Sequence, residues 1–192
     1  MRPVRAGMNL DLVLWYAARA AALAAFFVLA ASLLTGTAIR TALLAPLARN
    51  RAVVAVHGFL TWFWLPLVAV HVTSLLLDAT SRITPLDLFV PFRVNEGAGS
   101  QFAIGLGTIG LLLLVLIAAT SALRRSMRPT VWRWIHRLTY PMFVVFLIHA
   151  QLAGTDFSQV AISLTAWATL GGLLALALLR AAGGRMSTEP PV

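Results

Sequence analysis

Four histidines carry whatever chemistry this chain can do. His57 and His71 bound the stretch "HGFLTWFWLPLVAVH", and His136 and His149 stand thirteen residues apart in "WRWIHRLTYPMFVVFLIHA". Both stretches are apolar enough for a bilayer, where an imidazole is costly and rare and each one needs a partner. A buried neutral imidazole offers one nitrogen lone pair, suited to a transition metal. Two imidazoles from facing helices can hold haem iron from both sides. Iron so ligated has no open position, and it transfers electrons instead of binding oxygen. The small neighbours Gly58 and Ala150 would give the macrocycle room. The plainer alternative is that the four rings are polar fasteners between helices. Zinc fits less well, because a closed zinc site needs four ligands together. Here the pairs are separated by about 20 Å along a helix axis.

The spacing sets the depths. His57 and His136 each open an apolar segment, and His71 and His149 each come near its end. On parallel helices, fourteen residues rise about 21 Å and thirteen about 19.5 Å. The four then form two pairs at matched depths, one near each membrane face. Phase is less regular. At about 100° per residue, fourteen residues return to within about 40° of one face, whereas thirteen miss it by about 140°. Pro66 lies inside the first interval and Pro141 inside the second. A proline removes a helical hydrogen bond and permits a kink or bulge that shifts phase.

The elements that must position these rings are transmembrane helices. Of the 192 residues, 60% are hydrophobic and 11% charged, against about 45–50% apolar in soluble domains. A spanning helix needs about 20 apolar residues. Five runs qualify: 11–34, 52–77, 101–123, 132–153 and 160–179. The first follows Arg2 and Arg5 as a signal peptide would, but it is too long and lacks a clear cleavage site, so it reads as a retained helix. The expected fold is an all-α integral membrane bundle of five helices around two haem sites, a single domain over 1–183 with a short cytoplasmic tail at 184–192. The net charge of +9 arises without a single lysine. With the N-terminus outside and the C-terminus inside, ten arginines lie on the inner side and four on the outer, as the positive-inside rule requires. These arginines punctuate apolar runs, which argues against a nucleic-acid surface. The absence of cysteine excludes disulfides, iron–sulfur clusters and covalently attached haem. Within the polar segment 78–100, "PLDLFVPF" reads as a short cap on the outer membrane surface.

The stretch "WRWIHRLTY" at 132–140 resembles the W-R-x-x-H-R-L-x-Y sequence of ferric reductase-like transmembrane proteins. That family includes ferric reductases, the membrane part of NADPH oxidases and the haem-binding membrane subunit of bacterial methionine sulfoxide reductase. Its pattern is two helices, each with a histidine pair thirteen or fourteen residues apart, and the resemblance covers about 53–156. The resemblance implies that His57 and His136 ligate an inner haem b and that His71 and His149 ligate an outer one. It further implies an electron-transfer subunit of an oxidoreductase. A separate flavoprotein or a quinol would be the inner donor, and ferric iron, oxygen or a partner protein the outer acceptor. The family commonly has six core helices, and one before the histidine-bearing pair is not found here. No flavin or nicotinamide domain is read in this chain. "GLGTIG" at 105–110 lies inside a spanning helix, where glycines serve close packing and not a dinucleotide.

Supporting residues are fewer. Arg19 lies within the first helix and needs an anionic partner, such as a propionate of the outer haem, or must snorkel. Arg133 and Arg137 flank His136, either as contacts to inner-haem propionates or as inner-face anchors. Trp62, Phe63 and Trp64 lie between the helix-two histidines and line the gap between haems or pack elsewhere. The expected setting is the cell membrane as a multi-pass protein, as a homo-oligomer or in complex with a redox partner. Two alternatives stay open: a non-catalytic subunit or assembly factor with structural histidines, and a protein in which only one pair holds haem.

Overall fold

Apolar, alanine-rich sequence forms the longest helix, α1 (Ala6–Ala38). Its buried face runs through Ala18, Ala21, Ala25, Leu29 and Leu33, spaced three or four apart as one side of a helix requires. Small side chains on that face let neighbouring backbones come close. The computed structural model describes residues 6–39, 50–94 and 97–182, and among them no strand occurs. After α1 come α2 (Asn50–Leu77), α3 (Ala98–Ala122), α4 (Pro129–His136), α5 (Thr139–Ala153) and α6 (Val160–Ala182), with 3₁₀ turns at Pro85–Leu88, Arg124–Ser126 and Thr155–Ser158. The tail expected at 184–192, and Arg2, Arg5, Arg40, Arg49 and Arg185 of the orientation argument, lie outside the described residues.

Among the described residues four helices are long and apolar enough to cross a membrane: Leu10–Ala38, Arg51–Leu77, Ala98–Ala122 and Val160–Leu179. The expected continuous helix over 132–153 is two helices instead. Pro141 is the third residue of α5. It has no N–H to give the carbonyl of Arg137, and its ring would clash with that carbonyl in a straight helix. The chain answers with a tight turn at Arg137 and Leu138, where the Arg137 carbonyl accepts from the Tyr140 N–H at 3.1 Å. At 15 residues, α5 alone is about 22 Å long, short of the roughly 30 Å hydrocarbon core.

Two helical hairpins build the body. α1 packs along α2, α3 packs along α5, and α6 lies against α1 and α5. Helix α2, with His57 and His71, and α5, with His149, do not pack along each other, and His136 ends α4. The core lies where Phe26 and Leu29 of α1 meet Met142, Phe143 and Leu147 of α5 and Leu173 of α6. Met142 is therefore a packing residue. Outward faces of α2 and α6 are apolar and exposed, as at Phe59, Trp62, Leu164 and Leu178. Such faces belong in lipid.

The segment between α2 and α3 folds tightly. Asp87 accepts from the backbone N–H and the hydroxyl of Thr84 and from Arg93 Nη1, and Thr108 Oγ1 donates to the Asp87 carbonyl. The Thr84 hydroxyl and backbone N–H, helped by Arg93, hold the Asp87 carboxyl below the usual carboxylate range. The short cap expected within "PLDLFVPF" is the 3₁₀ turn Pro85–Leu88.

Candidate functional site

His57 and His136 come together, and His71 and His149 line one cavity. Near one end of the bundle, the ring centres of His57 and His136 lie 6.3 Å apart with planes at 89°. The rings come from α2 and α4, and a metal between them would take one nitrogen from each. The turn at Arg137 and Leu138 is what allows this. It breaks the helix between His136 and His149, so the thirteen-residue phase mismatch of a straight helix does not arise.

Toward the other end, His71 and His149 line one cavity of about 470 Å³. It fills the space that α2 and α5 leave by not packing together, and α1 and α3 complete its walls through Ala22, Leu29 and Gly107. That volume lies within the range of roughly 300–1,000 Å³ typical of cofactor and ligand sites. A second cavity, about 250 Å³ and lined by Leu33, Tyr140 and Leu173, lies away from the histidines.

Hydrogen bonds decide which nitrogen each ring presents. Nδ1 of His57 lies 2.8 Å from the Ser32 carbonyl, Nδ1 of His71 lies 2.9 Å from that of Ala18, and Nδ1 of His149 lies 2.7 Å from that of Ala103. A carbonyl oxygen only accepts, so Nδ1 carries the proton and the neutral ring keeps its lone pair on Nε2. This is how a protein orients imidazole ligands, and the bond also raises their basicity. His136 differs. Its Nδ1 is buried without a hydrogen-bond partner, and its ring stacks on Trp132 at 5.0 Å. Among the described residues no group of three or more His, Asp or Glu gathers. Among the described residues the imidazoles are grouped at most two together.

Arg19 stands at the cavity, and its anionic partner is within the chain. Nε donates to Asp156 Oδ2 at 3.0 Å and Nη2 to Oδ1 at 2.5 Å, while the guanidinium lies 4.1 Å from the centre of the Trp15 ring. This fork holds the Asp156 carboxyl below the usual carboxylate range. The guanidinium is thus already engaged at the position where a propionate contact was the expectation. Arg137 lies over the Trp134 ring at 4.7 Å, and Arg133 is exposed on the same short helix.

Sequence reasoning placed the room beside the ligands at Gly58, which has open space around it. The glycines that touch the rings are Gly36 and Gly107: a Cβ on either would come within 3 Å of His57 or His149. Of the residues between the helix-two histidines, Trp64 is buried and meets Phe146 of α5 edge-on at 6.3 Å. Trp62 and Phe63 are exposed. Phe146 was not singled out from the sequence, because its facing partner on α2 is not visible there. No family model, curated protein or solved structure matches this chain.

Proposed function

We propose that this chain is a membrane cytochrome b, a five-span bundle in which α4 and α5 together make one crossing. It passes electrons across the membrane between an inner donor, a flavoprotein or a quinol, and an outer acceptor. His57 with His136 would hold the inner haem, and His71 with His149 the outer. The observation that carries this reading is the arrangement of the four imidazoles, His57 beside His136 of α4 and His71 lining one cavity with His149 of α5, with three rings locked to present Nε2. Haem b in such a site supplies reversible one-electron transfer without covalent attachment.

The residues of the chain do the rest. Backbone carbonyls of Ser32, Ala18 and Ala103 orient the ligands and keep their protons off Nε2. Leu29, Val68 and Leu111 give the outer cavity apolar walls, against which the apolar face of a porphyrin would pack. Trp64 and Phe146 fill the body between the two depths with aromatic side chains. The test is electron transfer in liposomes holding the haem-loaded protein, with ferricyanide trapped inside and dithionite added outside. Ferricyanide reduction well above that of protein-free liposomes, and its loss in His71→Ala, is the expected result. A rate equal to that of protein-free liposomes would rule the wire out.

A second reading has one observation in its favour. The same carbonyl bonds also fasten α2 to α1 and α5 to α3, as purely structural histidines would. It leaves the cavity at His71 and His149 without a purpose, and a purified protein that takes up no supplied haem would favour it.

A further inference from the structure

Two of the four imidazoles dock in one way. His149 donates from Nδ1 to the Ala103 carbonyl at 2.7 Å. One turn further along α3, a Cβ on Gly107 would stand 2.7 Å from His149 Cε1 and 2.9 Å from Nδ1. His57 repeats this on α1, donating to the Ser32 carbonyl at 2.8 Å beside Gly36, whose Cβ would stand 2.9 Å from His57 Cε1. His71 donates to the Ala18 carbonyl at 2.9 Å past an alanine, Ala22, so glycine is needed only where the ring itself lies against the Cβ position.

The repeat has a physical reason. A helical carbonyl already accepts one backbone N–H and has a second lone pair free. A side chain on a helix leans toward the N-terminus and covers the turn before its own Cα. The residue four positions after a carbonyl therefore covers that carbonyl's outer side. Glycine there leaves it open to an imidazole from the neighbouring helix.

Building on the haem reading, we infer that Gly107 and Gly36 are positioning residues for the ligands. They uncover the carbonyls of Ala103 and Ser32, which fixes the Nδ1–H tautomer of His149 and His57 and turns Nε2 toward the cofactor. With alanine at either position the new Cβ would stand within 3 Å of the ring, so the ring must shift, its bond to the carbonyl weakens and Nε2 turns away from the cofactor. Gly105 on the same helix is the control: its Cβ would meet the ring of Phe92, so Gly105→Ala strains α3 without touching a histidine.

The experiment compares wild type, Gly107→Ala, Gly36→Ala and Gly105→Ala with ¹⁵N-labelled histidine, first without haem and then loaded with haem. In the haem-free protein, Gly107→Ala and Gly36→Ala should each remove the Nδ1-protonated signature of one histidine. After loading, each should lose one of two low-spin haem signals in the electron paramagnetic resonance spectrum, and a different one. Gly105→Ala should keep both signatures and both signals. Retention of the tautomer and of both signals in Gly107→Ala and Gly36→Ala overturns the inference and leaves the haem reading intact. Loss of the same histidine signature in Gly105→Ala overturns it too, by showing that helix packing alone is responsible. A wild type that takes no haem, with tautomer shifts still confined to the two glycine variants, removes the haem reading and sustains the positioning role.

Discussion

A neutral imidazole has one lone pair, and what its other nitrogen donates to decides where that lone pair points. The histidines and their pairing by depth were legible in the sequence because residue type and spacing survive in one dimension. Their carbonyl acceptors were not, since Ser32, Ala18 and Ala103 take part through backbone atoms that every residue has. Arg19 shows the same limit. An arginine inside an apolar helix announces a need for an anion, but Asp156, 137 residues away, carries no mark of being the answer. Asp156→Ala leaves the Arg19 guanidinium without its carboxylate, and a lower unfolding temperature in detergent is expected. Thermal unfolding of Asp156→Ala beside an Arg19→Leu/Asp156→Ala double variant measures it, and the double variant should recover part of the loss. The pH dependence follows from the depressed carboxyls of Asp156 and Asp87. A carboxyl whose folded pKa lies below its unfolded value of about 4 adds stability above that value. The contribution is lost as pH falls through the lower, folded pKa. Unfolding temperature should therefore drop as pH is taken below about 4, and less steeply in Asp156→Asn.

At the scale of the helix, Pro141 is the decisive residue. Apolar length alone reads 132–153 as one span, and a straight span there would put His136 and His149 on different faces. Proline in the first turn of α5 costs that helix little, because the N–H it lacks would be unbonded anyway. What it forbids is continuation from α4. The break at Arg137 and Leu138 sets His136 against His57 while α5 carries His149 along α3. The sequence held the proline, but not whether the response would be a kink or two separate helices. Pro141→Ala restores the missing donor and favours a continuous helix, so His136 should turn away from His57. The expected spectrum shows one haem lost, the same one lost in His136→Ala, with the other unchanged.

At the scale of the whole molecule, the apolar faces of α2 and α6 read directly from composition, because lipid-facing surface needs no specific partner. The cavity between α2 and α5 did not, since it depends on which helices fail to touch. Orientation also belongs here, and the cysteine-free sequence makes it easy to read. In Phe89→Cys, on the exposed segment between α2 and α3, a membrane-impermeant maleimide should label intact cells. In Arg128→Cys, between α3 and α4, labelling should require permeabilisation. The reverse pattern would invert the inner and outer assignments. The most direct measurement is haem per polypeptide, with reduced-minus-oxidised spectra, on protein purified with haem supplied. Wild type should carry two haems of b type, and His71→Ala and His136→Ala should each lose one, spectrally distinct from the other. A wild-type chain that folds in detergent and holds no haem would contradict the cytochrome reading and leave the four histidines as fasteners between helices.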